Sequence, residues 1–132
     1  MLLFVSTPIG NLEDITIRAL KALESAEVLL CEDTRVASKL ISLLEQRSLL
    51  NPKKREFIPL HSHNEETFLS TLTPDFFDKN IVYLSDAGMP CISDPGSKLI
   101  VYLQTNDIKY DFLPGANAAT LSFAMSGFEG GF

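Results

Sequence analysis

Ile81-Val82-Tyr83-Leu84, running directly into Ser85-Asp86-Ala87-Gly88-Met89-Pro90-Cys91-Ile92-Ser93-Asp94-Pro95-Gly96, decides the fold class. Four consecutive apolar residues with no polar alternation suit a strand covered on both faces. Behind them, a Ser-Asp-x-Gly unit occurs twice, at Ser85 and at Ser93. Glycine lets a ligand approach the backbone, proline presets φ, and Asp94 ahead of Pro95 reads as the cap and first residue of a helix. Two such units in succession exceed what a plain strand-to-helix connection of a few residues needs. A buried strand, a Gly/Pro loop and a helix together make one unit of an α/β fold.

The same unit recurs on both sides. Leu2-Leu3-Phe4-Val5 is a strand, and Asp14 is the expected cap of a helix reaching about Ala26, with Ile15, Ala19, Leu20, Leu23 and Ala26 on one stripe. Val28–Cys31 is the next strand. Thr34 or Ser38 then opens a helix carrying Leu40, Ile41, Leu43 and Leu44. Phe57-Ile58-Pro59-Leu60 is a third strand, with Pro59 placing it near a sheet edge. A helix over Glu65–Leu72, a turn at Pro74, a strand marked by Ile108, Tyr110 and Phe112, and a last helix from Asn117 to a stop at Gly127 complete the pattern. Strands that alternate with helices predict an α/β fold: a mainly parallel sheet of about five strands with helices on both faces. In such sheets the loops leaving the carboxyl ends of the strands share one edge, where ligands bind. Here they are Thr7–Asn11, Glu32–Arg35, His61–Asn64, Ser85–Gly96 and Pro114–Asn117.

Composition narrows the function. The 132 residues are 45% apolar and 21% charged, ordinary values for one folded domain. Net charge is −6, from 11 Lys and Arg against 17 Asp and Glu, so the overall field does not draw in nucleic acid. Lys53-Lys54-Arg55 is the only basic run and reads as a solvated loop. Cys31 and Cys91 stand far apart without a CxxC, which excludes a zinc ribbon, an Fe–S site and a disulfide scaffold. No apolar run approaches the roughly 20 residues of a membrane span, and Met1–Val5 lacks the features of a signal peptide. A reduced, cytoplasmic setting away from membranes is expected. There is no GxGxxG, GxxxxGK[ST], HExxH or GxSxG, so the usual dinucleotide, P-loop, zincin and hydrolase readings fall away.

Five segments in register carry a resemblance: Thr7–Thr16, Cys31-Glu32-Asp33-Thr34-Arg35, His63-Asn64-Glu65, Ser85–Gly96 and Pro114-Gly115. Together they resemble the amino-terminal domain of the small-subunit ribosomal RNA methyltransferase I family, in the tetrapyrrole-methylase-like superfamily. The resemblance implies an S-adenosylmethionine-dependent enzyme that 2′-O-methylates a cytidine ribose in small-subunit ribosomal RNA, usually as a homodimer, with the cofactor in a cleft between two α/β domains. It divides this chain into an amino-terminal cofactor-cleft domain over 1–127 and, over 128–132, the start of a linker to a carboxyl-terminal domain that the chain lacks. It assigns Pro8, Asp86, Gly88, Met89, Asn117 and Ala118 to the cofactor. Pro114-Gly115-Ala116-Asn117-Ala118 departs from the family's usual Pro-Gly-Pro-Ser-Ala, Ser62 replaces a common acidic residue, and Val36 replaces a frequent histidine.

Methyl transfer from a sulfonium is an in-line displacement that needs alignment and no metal. A ribose hydroxyl gains from a positioned base. On the expected edge the candidates are Glu32, Asp33, His61 and His63. Asp33 is preferred because it follows a buried strand beside Thr34 and Arg35, and His63 is the second candidate. The competing reading makes Asp33 a helix cap or an Arg35 partner, and each histidine a loop residue bonded to backbone. Asn11 either contacts substrate or bonds its own loop. Arg35 is either Asp33's partner or a phosphate contact. Two other readings stay open: a methylase of tetrapyrrole precursors, and a domain that only binds cofactor or self-associates.

Overall fold

The computed structural model describes residues 1–7, 11–84 and 97–113. Five strands form one sheet: β1 (Leu2–Val5), β2 (Val28–Cys31), β3 (Glu56–Pro59), β4 (Ile81–Leu84) and β5 (Tyr110–Leu113). The order across it is β3-β2-β4-β1-β5, and every pairing is parallel. The helices are α1 (Ile17–Ser25), α2 (Thr34–Gln46), α3 (Glu65–Thr71) and α4 (Ser97–Thr105).

Side chains alternate along the strands and divide the core in two. Val5, Leu29, Cys31, Val82, Leu84 and Leu113 pack with Ala19, Leu23, Ala37, Ile41 and Leu44, which come from α1 and α2. Leu2, Phe4, Val28, Leu30, Ile81 and Tyr83 face the other way, against Leu60, Phe77, Leu99 and Leu103. Right-handed crossovers explain the division. The chain steps one way across the sheet from β1 to β2 to β3 and returns the other way from β3 to β4 to β5, so the two sets of helices cover opposite faces. Helices on both faces, as expected, leave the middle strands β2 and β4 buried at every position.

β2 and β4 occupy the expected residues, and Pro59 ends an edge strand. Local boundaries differ. Asp14 does not cap α1: Leu12–Asp14 is a separate 3₁₀ turn, and Thr16 caps the helix, its Oγ1 accepting from the Ala19 N–H at 3.0 Å. A further 3₁₀ turn spans Pro74–Asp78, at the proline read as a turn. The basic run is not a solvated loop throughout. The Arg55 side chain is 1% exposed and bridges Glu24 and Glu45, each at 3.0 Å. The Asp94–Pro95 start of α4 and the helix expected from Asn117 lie outside the described residues.

Candidate functional site at the carboxyl rim

Parallel pairing in register sets the carboxyl ends of the strands in one row: Pro59, Cys31, Leu84, Val5, Leu113. Leu84 and Leu113 flank Val5, two strand spacings apart, or about 10 Å. The segments beginning at Ser85 and Pro114 follow them in the chain. Between the two, β1 continues into Ser6 and Thr7, both buried hydroxyl residues. The helix that follows β4 packs on the opposite face of the sheet from those that follow β1 and β2, and in parallel sheets such a change of face is where ligands bind. Pro8, Asp86, Gly88, Met89, Asn117 and Ala118 lie outside the described residues.

Beyond Cys31, Asp33 caps α2. Its Oδ1 accepts from the Arg35 backbone N–H at 2.9 Å and from Arg35 Nε at 3.4 Å, and Oδ2 pairs with the guanidinium at 3.3 Å. The hydrogen bonds from the Arg35 side chain and backbone hold the Asp33 carboxyl below the usual aspartate range, and the same pairing raises Arg35. Both competing readings of Asp33, cap and arginine partner, are therefore realised at once. A carboxylate held this way is a weaker proton acceptor. The Arg35 side chain remains 90% exposed.

Beyond β3, the chain turns through His61-Ser62-His63-Asn64. Asn64 fixes that turn: its Oδ1 accepts from the His61 N–H at 2.7 Å, and its Nδ2 donates to the Pro59 carbonyl at 3.0 Å. His61 Nδ1 accepts from the His63 backbone N–H at 3.2 Å, so His61 is a loop residue bonded to backbone. The His63 ring lies edge-on to it, centroids 5.9 Å apart, and is solvent-exposed at the rim. Asn11 bonds its own loop, Oδ1 accepting from the Glu13 N–H at 2.9 Å.

Two residues at this rim escape the sequence reading, Asn64 as the turn's clamp and Glu65. Glu65 is 4% exposed, and its carboxylate accepts from the Leu99 N–H at 3.3 Å in the first turn of α4. A negative charge there also suits the helix dipole. Lys98 and Glu66 pair nearby at 3.5 Å. Glu65 thus ties α3 to the start of the helix that receives the chain after residues 85–96. The His63-Asn64-Glu65 segment is the one signal the sequence offers for these two residues, and the Leu99 partner of Glu65 lies 34 residues along the chain.

Comparison with known proteins decides the family. A match to the tetrapyrrole (corrin/porphyrin) methylases extends over residues 1–131. The chain belongs to that family. Two curated relatives of this chain are each called ribosomal RNA small subunit methyltransferase I. The one from Helicobacter pylori (strain ATCC 700392 / 26695) is 55% identical, covering 100% of this chain and 49% of the relative. The one from Campylobacter fetus subsp. fetus (strain 82-40) is 50% identical, covering 96% and 47%. The chain spans about half the length of the curated relatives it matches. Among solved structures, uroporphyrin-III-C-methyltransferase from Thermus thermophilus superposes with a TM-score of 0.65 at 22% identity, over 97% of this chain and 53% of that one, which establishes the shared fold.

Proposed function

We propose that this chain is the amino-terminal, cofactor-binding half of an S-adenosylmethionine-dependent enzyme that 2′-O-methylates a cytidine ribose in small-subunit ribosomal RNA. The observation that carries this reading is the 55% identity, over the whole of this chain and 49% of the relative, to a protein named for that RNA. The setting is the cytoplasm, where ribosomal subunits are found, and the working form is a homodimer.

When bound, the cofactor supplies a methyl group on a positively charged sulfur. The chain's own residues have two tasks. Pro8, Asp86, Gly88, Met89, Asn117 and Ala118 hold the donor along the rim, with Asp86 accepting from its amine or a ribose hydroxyl. A base takes the proton of the RNA hydroxyl. Of the two candidates, the geometry favours His63. Asp33 is committed to the α2 cap and to Arg35, whereas the His63 ring is exposed on the rim and makes no side-chain hydrogen bond among the described residues. Asp33 then acts as a positioning residue for Arg35, which with Asn11 faces the substrate.

The test is methyl transfer to purified small ribosomal subunits by the intact protein, followed by nucleoside mass analysis. The expected product is 2′-O-methylcytidine. Asp86→Ala abolishes it through loss of cofactor affinity. His63→Ala lowers the rate about 100-fold with cofactor affinity retained. A methyl group on a base, or transfer to a porphyrinogen and none to RNA, overturns the reading in favour of a tetrapyrrole-precursor methylase. No transfer to any acceptor leaves a binding or self-associating domain.

A further inference from the structure

We propose that the outer face of α2, beside the edge strand β3, is a groove for the phosphodiester backbone of a single-stranded RNA segment leading to the rim. The proposal rests on the ribosomal RNA reading and adds a site to it. The groove has a volume of about 920 Å³. Thr34, Ser38, Ser42 and Gln46 line it at intervals of four residues, which sets them in one stripe along the helix. Arg35 and Lys39 stand beside that stripe, at the end nearer the rim. Leu43 of α2 with Phe57 and Pro59 of β3 form an apolar floor. A 13-residue helix is about 20 Å long, far more than a single phosphate group requires.

The chemistry of the lining selects the occupant. Among the described residues no carboxylate lines the groove, in a chain whose net charge is −6. Lys39 makes no ion pair among the described residues, and Arg35, though paired with Asp33, keeps its guanidinium in solvent. Arg55 and Lys53 of the one basic run are bound internally and Lys98 is paired with Glu66, whereas Arg18, Lys21, Arg47 and Lys54, outside the groove, also make no ion pair among the described residues. Thr34 and Ser38 make no side-chain hydrogen bond among the described residues, while Gln46 reaches Ser42 at 3.5 Å. Hydroxyls, an amide and two cations in a line match phosphate oxygens and 2′-hydroxyls. The half-buried Phe57 ring offers a surface for one base.

The experiment measures binding of a labelled oligouridylate to the intact protein across a salt series. Lys39→Glu is expected to weaken binding about tenfold and to reduce the slope of log affinity against log salt by about one, while adenosylmethionine affinity is unchanged. Ser42→Leu, which fills the groove without changing charge, weakens binding and keeps the slope. Unchanged affinity and slope in Lys39→Glu overturn the proposal. So does a shift in oligomeric state with RNA binding intact, which makes this face a protein interface. If oligouridylate binding depends on Lys39 but the wild-type protein methylates no ribosomal RNA, the groove stands and the methyltransferase reading fails. If the wild type methylates small subunits and Lys39→Glu does so with the same KM for RNA, the reverse holds.

Discussion

Asp33 concentrates at one carboxylate what the rim does to its side chains. It closes the first turn of α2 and grips Arg35, and both bonds favour the ionised form. A group whose folded value lies below its ordinary 3.8 adds stability above that value, and the contribution disappears as the pH falls through the depressed folded value. Asp33→Asn keeps an amide oxygen able to cap the helix but carries no charge. Denaturation of the two proteins from about pH 6 down to about pH 2 is therefore expected to show a wild-type advantage that shrinks on acidification, and shrinks also in high salt because the pair is exposed. Parallel stability profiles would remove the charge from the account. The same residue shows what local sequence reveals. Cap and partner both lie within two positions of Asp33, so both roles are legible in the sequence, but that the two are filled at once depends on distances that no motif encodes.

Among the elements, the strands were easiest to read and the charged tie between helices was not legible. Val28–Cys31 and Ile81–Leu84 are continuous apolar runs because each lies between two strands and under two layers of helix. The start of α1 was misread because both Asp14 and Thr16 are good caps. The 3₁₀ turn that Asn11 anchors uses up Asp14 and passes the role to Thr16. Arg55 illustrates the harder case. Lys-Lys-Arg looks like surface, yet its guanidinium meets Glu24 at the end of α1, Glu45 near the end of α2, and the carbonyls of Leu23, Asn51 and Lys53. Removing one member of a buried ionic cluster is costly, because the others lose a partner they cannot replace. Arg55→Met is expected to destabilise the fold by about 3 kcal/mol in urea denaturation, at the low end for such clusters since both glutamates retain some access to water. A variant as stable as the wild type would show that the cluster adds nothing.

At the scale of the whole molecule, one geometric relation organises the function. An all-parallel sheet sends every strand's carboxyl end to one side, and the order β3-β2-β4-β1-β5 sets the exits of β4 and β5 on either side of β1. The alternation of strands and loops made that side legible before any coordinates. The residues assigned to the donor by resemblance follow Val5, Leu84 and Leu113 in the chain, whereas the Arg55 cluster precedes β3 and belongs to the opposite, structural end. The most direct test is amide hydrogen exchange of the intact protein with and without adenosylmethionine. The account predicts slower exchange at residues 85–90 and 115–118 and in the Ser6–Asn11 segment, with residues 51–55 and 106–109 at the other end unchanged. Protection confined to that other end, or none at saturating cofactor, would contradict a methyl-donor site at the carboxyl rim.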